Sequence, residues 1–290
     1  MENTINSASP PQNPLSKYFR QAAIHVKLPS NGKYWEEGAL ELPITGELPI
    51  FPMTARDEVT LRTPDGLLNG SSVVEIIQSC CPGIKNAWKT PSIDLDTILI
   101  AIRIASYGAE MDIDTKCPHC ETENNHALNL SNLLGTIQCP DYSTPIVVGE
   151  LSIIVKPQYY FNLNKKNMLA YEEQRLLEAI NKEGTADELR TTQINSSMKK
   201  LLDISIDTIV DSTASISINN DVTVSDPKHI KDFFEHANGQ VIRQIQKRLG
   251  EINIESQIAN QKITCTNIEC QKEFQTPVEF DYANFFAVGS

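Results

Sequence analysis

The sequence predicts an α+β fold with N-terminal strands and short helices, a split ribbon, and a mainly helical inserted subdomain with two β-hairpins. Two short cysteine pairs, Cys117-Pro118-His119-Cys120 and Cys265 to Cys270, lie far apart in the chain and predict the two halves of the ribbon. Strand-like alternation and helix-like spacing of apolar residues are mixed along the chain. The interval between the pairs is mainly helical in pattern, which indicates an insertion.

Composition and charge limit the classes of function. The chain has 290 residues, of which 40% are hydrophobic and 21% are charged, as in a globular protein. A net charge of −12 and a pI near 4.9 argue against binding to nucleic acid or to an anionic membrane. The sequence contains no run of about 18 apolar residues. Residues 1–6 lack the features of a secretory signal, so we expect a protein of the reducing cytoplasm.

The chain divides into three predicted parts. Residues 1–14 contain three prolines and several small polar residues, which predicts a flexible arm. Residues 15–135 together with 261–290 are expected to form one domain that contains the ribbon. Residues 136–260 are expected to form the inserted subdomain.

The first elements are short and are separated by turn signals. Residues 24–28 alternate apolar and polar side chains and predict a strand, and residues 29–32 predict the turn that follows. Residues 40–42 predict a second strand. Thr54 precedes two acidic residues and predicts the N-cap of a short helix that ends near residues 63–66.

Two further helices complete the N-terminal half. Residues 73–80 predict the first of these helices. Residues 94–107 predict the second, with Ser92 or Asp94 as its cap and Gly108 at its end. Nearly all positions of the second helix are apolar. We therefore expect this helix to be buried on more than one side.

One charge interrupts that apolar helix. Arg103 lies near its centre, where a guanidinium group needs a partner or a route to solvent. We favour Asp57 or Glu58 as the internal partner.

The predicted insertion combines hairpins and helices. Residues 146–155 read as a hairpin with its turn at Gly149-Glu150, and residues 215–224 read as another around Asn219-Asn220. Apolar residues at helical spacing predict three helices, whose apolar faces we interpret as core. These helices run from Asn164 to Asn181, from Ala186 to about Asp211, and from Pro227 to Leu249 with an interruption at Gly239 and an end at Gly250.

The two cysteine pairs predict a structural zinc site. Cys117, Cys120, Cys265 and Cys270 supply four thiolates, the ligand number that Zn²⁺ prefers in closed tetrahedral sites. Alternating segments follow the pairs, at residues 127–134 and 278–286, and are expected to be strands of the ribbon. One zinc ion per chain would then tie the N-terminal half to the C-terminal segment.

Other roles for these cysteines remain open. Free thiols, two disulfides or a thioredoxin-like redox motif would also use them, although the redox motif leaves the second pair unexplained. His119 and His126 lie near enough in sequence to act as substitute ligands, but we interpret both as ordinary surface residues. Three further cysteines, Cys80, Cys81 and Cys139, lie outside the two pairs. We interpret them as small core residues.

Four short motifs follow one another in a fixed order over residues 24–135. They are Leu28-Pro29-Ser30-x-Gly32-x-Tyr34, Pro52-Met53-Thr54-Ala55-x-Asp57-Glu58, Arg103-Ile104-Ala105-Ser106-Tyr107-Gly108 and Cys117-Pro118-x-Cys120. In this order and spacing they resemble the baseplate hub proteins of T4-type contractile-tailed phages. The resemblance implies a tail protein that builds the baseplate hub, or a factor that helps the hub to form, and it implies no catalytic residues.

Two classes of function follow from these observations. The first is a non-enzymatic structural or assembly protein of the baseplate hub, which binds tube, tape-measure or other hub proteins in a symmetric assembly, in the virion or in the host cytoplasm. The second is a cytoplasmic zinc-ribbon adaptor or regulatory subunit of an enzyme complex. The sequence contains no nucleotide-binding, zinc-protease or serine-hydrolase motif, and paired acids such as Glu172 and Glu173 are read as solvated helix residues.

Overall fold

The computed structural model describes residues 13–63, 66, 69–182, 187–219, 221–277 and 285–286, and the side chains of these residues outside 179–190. Its strands are, in order, β1 (Ile24–Val26), β2 (Leu48–Ile50), β3 (Glu110–Lys116), β4 (Glu123–Asn129), β5 (Ile146–Val148), β6 (Leu151–Val155), β7 (Thr213–Ile218), β8 (Val222–Val224), β9 (Gln261–Thr264) and β10 (Glu273–Thr276). Its helices are α1 (Ala55–Leu61), α2 (Ser71–Cys80), α3 (Ser92–Tyr107), α4 (Leu130–Leu134), α5 (Tyr160–Lys182), α6 (Asp187–Asp211), α7 (Pro227–His236) and α8 (Gly239–Ser256).

Helices and small antiparallel sheets are mixed along this order, which confirms the predicted α+β class. Single-turn 3-10 helices lie at Ser16–Tyr18 and Ala87–Lys89. The predicted arm at residues 1–14 falls almost entirely outside the described residues. In the described part of the chain, no helix is both long enough and apolar enough to cross a lipid bilayer.

The first hydrophobic core is organised around α3, whose Ile98, Ile100 and Ile102 are fully buried. Helices α2 and α4 and the sheet β1–β2 pack around it. The predicted burial of α3 on more than one side is confirmed, because almost every residue in its central turns is apolar. Phe285 and Phe286 join the same core, so the C-terminal segment returns to the N-terminal half.

The second strand differs from the prediction. Residues 40–42 do not form the second strand, since only Leu40 makes an isolated bridge, to Ile84. Strand β2 pairs with β1 instead, and its Leu48 and Ile50 are fully buried. Burial of two large side chains on one face selects this segment over the more exposed one.

The cap of α1 is confirmed. The main-chain N–H of Thr54 donates to Asp57 Oδ2 at 2.7 Å, and the N–H of Asp57 donates to Thr54 Oγ1 at 3.3 Å. This reciprocal pair is a capping box, which satisfies two donors that the helix start leaves unpaired.

The N-cap of α3 differs from the prediction. Neither Ser92 nor Asp94 caps it, and Pro91 occupies the N-cap position without a side-chain hydrogen bond. The fully buried Asp94 carboxylate accepts from the Ser30 N–H at 2.9 Å, from the Ser30 hydroxyl, and from Trp35 Nε1 at 2.7 Å. Burial raises the pKa of Asp94, and the three donors hold the loop after β1 against α3.

The predicted partners of Arg103 are wrong. Asp57 belongs to the cap of α1, and Glu58 accepts from the Tyr107 hydroxyl at 3.3 Å. The buried Arg103 guanidinium lies over the rings of Tyr107 and Phe285, at 5.5 Å and 5.6 Å from their centroids. Burial lowers the pKa of Arg103, and the two aromatic faces stabilise the cation there.

The two predicted hairpins of the insertion belong to one sheet. Gly149, with φ of 61°, makes the turn between β5 and β6 as predicted. Strand β6 also pairs with β7, with Ile153 opposite Ile216, so the strands form a four-stranded antiparallel sheet in the order β5-β6-β7-β8. Both isoleucines are buried in the second core, against α7 and α8.

The helices of the insertion match the prediction except at the end of the last one, which continues past Gly250 to Ser256. Helices α5 and α6 pack against each other as expected. The interruption predicted at Gly239 is confirmed: the segment forms two helices, because the Asn238 side chain accepts from the N–H groups of Gln240 and Val241 and starts α8 at Gly239. Gly250 does not end α8, since an exposed glycine lowers helix stability by only about 1 kcal/mol.

Candidate metal centre

Two β-hairpins carry the cysteine pairs. Strands β3 and β4 flank the first pair, and strands β9 and β10 flank the second. The Cys117 N–H donates to the carbonyl of Thr122 at 3.0 Å, and the Cys265 N–H donates to the carbonyl of Lys272 at 3.0 Å. The residue after the second cysteine has φ of 60° in one hairpin and 45° in the other. The two turns therefore have equivalent main-chain geometry, although one contains two more residues.

The prediction of a ribbon strand at residues 127–134, after the first cysteine pair, is only partly correct. Strand β4 ends at Asn129, whose side chain accepts from the N–H of Asn132 at 3.1 Å and so caps α4 over Leu130–Leu134. The corresponding segment at 278–286 lies outside the described residues except for Phe285 and Phe286. What the hairpins share is thus the cysteine turn and its two flanking strands.

The four sulfur atoms form one cluster, which we call the cysteine cluster. Cys117 Sγ lies 3.9 Å from Cys270 Sγ, and Cys120 Sγ lies 3.5 Å from Cys265 Sγ. All four sulfurs lie within 4.8 Å of one another. Tetrahedral zinc with Zn–S bonds of about 2.3 Å separates its ligands by about 3.8 Å. The cluster therefore fits a single tetrahedral ion with two ligands from each hairpin.

Main-chain donors surround this cluster. Each sulfur accepts a hydrogen bond from the N–H group two positions further along the chain. The pairs are His119 to Cys117, Thr122 to Cys120, Asn267 to Cys265 and Lys272 to Cys270. Such donors stabilise negative charge on sulfur, which a thiolate ligand carries.

The acidities of the thiols differ within the cluster. A hydrogen bond with the hydroxyl of Thr122 and another from its N–H lower the pKa of Cys120 to about 6. Burial raises the pKa of Cys265 to about 11. A thiolate at Cys120 is thus favoured at neutral pH, while a second thiolate at Cys265 is disfavoured unless a cation stabilises it. A divalent ion bound by the four sulfurs would supply that charge.

Side chains outside the ligand set connect the hairpins. Asn124, which is 2% exposed, accepts from the N–H and the hydroxyl of Thr266 at 2.7 Å and 2.8 Å. It also donates to the carbonyl of Thr122 at 2.8 Å, and Asn267 donates to the Thr122 hydroxyl at 3.1 Å. We did not predict these residues from the sequence. Their only signal is a run of small polar residues beside each cysteine pair.

Neither nearby histidine joins the cluster. His119 is exposed in the first turn, and the half-buried His126 lies on β4 opposite Ile113. Among the described residues, the potential ligand group at this position consists of the four cysteines alone.

The remaining predicted candidates lie elsewhere. Cys80 and Cys81 are fully buried in the first core, and Cys139 packs against the second, as expected for small core residues. Glu173 faces α6 and accepts from Lys200 at 2.6 Å, so it is an ion-pair residue of the α5–α6 contact.

Comparison with protein families gives one match over nearly the whole chain. The family model described as "T4 bacteriophage base plate protein" matches residues 22–287, which include both cysteine pairs and the insertion. The chain belongs to this family. Membership implies a structural role in the virion tail and contacts with other tail proteins in an assembly. Comparisons with curated proteins and with solved structures gave no match.

The motifs that resemble the base plate family have structural roles in this protein. Ser30 of the first motif binds Asp94 of α3. Met53 of the second motif donates its N–H to the hydroxyl of Ser106 in the third, at 2.9 Å, and Glu58 accepts from Tyr107. The second and third motifs therefore hold each other in place, and the first is bound to α3 in the same core.

Proposed function

We propose that this base plate family protein is a non-enzymatic component of the baseplate hub, which acts by binding other tail proteins and carries one structural zinc ion. The observation that carries the proposal is the family match over residues 22–287. It favours a tail protein over the cytoplasmic adaptor that the sequence also allowed. The four motifs over residues 24–135 support the hub as its position in the baseplate.

The proposed zinc ligands are Cys117, Cys120, Cys265 and Cys270. Sulfur donors, sulfur spacing and main-chain N–H groups all suit Zn²⁺ in a closed tetrahedral site. Four protein ligands leave no open position for a substrate or water. The proposed ion therefore stabilises structure and takes no part in catalysis.

The proposed role of the ion is to fix two parts of the chain. We propose one domain of residues 15–135 and 261–290, with residues 136–260 as an insertion. The two hydrophobic cores support this division, since most residues of the second come from 139–252. The cluster and the burial of Phe285 and Phe286 in the first core hold the C-terminal segment to the N-terminal half.

A phage that carries Cys265→Ser and Cys270→Ser together tests the proposal. We expect host cells filled with unattached heads and few contractile tails, because the hub component would no longer present its faces in fixed relation. Circular dichroism of the purified variant should retain most of the helical signal, since most helical residues lie outside the ribbon. Normal numbers of infectious particles from this mutant would contradict the assembly role of the ribbon.

The position in the virion has a separate test. Mass spectrometry of purified virions should detect the chain together with other hub proteins. If the chain is found in infected cells but not in finished particles, it is an assembly factor rather than a permanent hub component.

A further inference from the structure

A groove lined by lysines lies on the insertion, away from the cysteine cluster. The start of α5, the end of α6 and the start of α7 enclose a cavity of about 330 Å³, which we call the lysine groove. Its charged residues are Lys165, Lys166, Lys228 and Lys231 with Asp207 and Asp211.

Two of the four lysines already have partners. Lys166 pairs with Asp211 at 2.6 Å, and Lys231 pairs with Asp207 at 2.8 Å. Lys165 and Lys228 are exposed and form no ion pair with any residue that the structure describes. The lysines that line the groove thus outnumber its carboxylates by two, in a chain whose net charge is −12.

Apolar side chains lie between these charges. Phe161 is 48% exposed and Leu169 is 40% exposed, and both line the groove. The ring of Phe161 packs edge-on against Trp88, with centroids 5.8 Å apart, which fixes it in the exposed position. Exposed apolar surface flanked by charge is typical of a docking site for another protein.

We propose that the lysine groove binds an acidic segment of a neighbouring tail protein. Two carboxylates of that segment pair with Lys165 and Lys228, and an apolar side chain between them packs on Phe161 and Leu169. Nucleic acid fits less well, because it carries a phosphate at every nucleotide, whereas the groove offers only two lysines without an ion-pair partner among the described residues and the chain has a net charge of −12. The inference adds a partner chemistry to the proposed scaffold role and does not depend on the metal.

Binding of a labelled peptide to the full-length protein tests this site. The probe is a short peptide of alternating glutamate and leucine, with a glutamine–leucine peptide as its neutral counterpart. We expect fluorescence anisotropy to show binding of the acidic peptide that weakens with added salt. The double variant Lys165→Glu with Lys228→Glu should weaken it about tenfold, since both charge contacts become repulsive.

Matched variants separate the groove from general charge effects. Lys27 and Lys262 are exposed and form no ion pair among the described residues, so Lys27→Glu with Lys262→Glu changes the net charge equally and should leave binding unchanged. Leu169→Ser should weaken binding without changing its salt dependence. Zinc content should be the same in all of these variants.

Three results would overturn the inference. The first is absence of binding to the wild-type protein, or equal binding of the acidic and the neutral peptide. The second is equal loss of binding in the groove variant and in the control variant. The third is displacement of the peptide by a single-stranded oligonucleotide that binds more tightly and also loses affinity in the groove variant, which would identify a nucleic-acid site.

Discussion

Asp94 is a fully buried carboxylate whose hydrogen bonds join two parts of the first core. It accepts from Ser30 in the loop after β1 and from the indole of Trp35. The loop and α3 are thereby connected without an opposite charge. Such a group is costly to bury and is retained only where its donors are well placed.

Replacement of this carboxylate should destabilise the protein. Asp94→Ala leaves the Trp35 indole and the Ser30 N–H without their acceptor, and we expect a loss of about 3 kcal/mol in the free energy of unfolding. Urea denaturation measures this change. Asp112→Ala, at an exposed position on β3, is the control and should stay within about 0.5 kcal/mol of the wild type. A similar small loss in both variants would show that the Asp94 contacts contribute little.

Asn124 is the second residue whose role is defined by its contacts. We expect Asn124→Ala to weaken zinc retention by about tenfold to a hundredfold, because the hydrogen bonds that orient the second hairpin are lost. Competition with a chromogenic chelator measures this affinity. The adjacent Asn125 is exposed and, within the described part of the chain, its side chain binds Asp114 and no ligand or residue of the second hairpin, so Asn125→Ala should retain zinc as the wild type does. Equal zinc retention by the two variants would show that Asn124 does not contribute to metal binding.

At the scale of elements, local sequence signals identify most helices and hairpins but not their partners. Thr54 marks the start of α1 because its cap is made within four residues. The second strand forms at Leu48–Ile50 rather than at residues 40–42 because the side chains of Leu48 and Ile50 reach the first core. The joining of two hairpins into one sheet likewise depends on the contact of β6 with β7, which are separated by α5 and α6.

In the cysteine cluster too, the sequence identifies local features but not the contacts between distant residues. Spacing identifies its four ligands, since each pair lies in one tight turn. The contacts of Asn124 and Asn267 join residues more than a hundred positions apart, and polar residues beside a turn have many alternative partners. The prediction of the Arg103 partners is wrong for a related reason. Sequence spacing does not reveal that the rings of Tyr107 and Phe285 lie against its guanidinium group.

Helix α8 offers a test at this scale. Gly250 lies inside the helix, and a Cβ placed there would meet nothing within 4 Å. Gly250→Ala should therefore raise the free energy of unfolding by about 0.5–1 kcal/mol. Gly149→Ala is the counterpart, since φ of 61° at the β5–β6 turn disfavours alanine, and it should lower stability by about 1 kcal/mol. Thermal and urea denaturation of the two variants measure whether the free energy of unfolding rises in one and falls in the other.

At the scale of the whole molecule, two features bring the C-terminal segment back to the N-terminal half. The cysteine cluster joins residues 145 positions apart at its closest sulfur contact, and Phe285 and Phe286 enter the first core. The proposed insertion, residues 136–260, lies between these two segments in the sequence. A metal ion in the cluster would therefore set how the insertion and its lysine groove are presented to neighbouring proteins.

The metal content of the purified protein tests this account most directly. Protein purified without chelators should contain about one zinc ion per chain by inductively coupled plasma mass spectrometry, and Cys120→Ser should lower both the zinc content and the melting temperature. A wild-type protein that folds with no bound metal would contradict the central claim that the four thiolates form a structural zinc site.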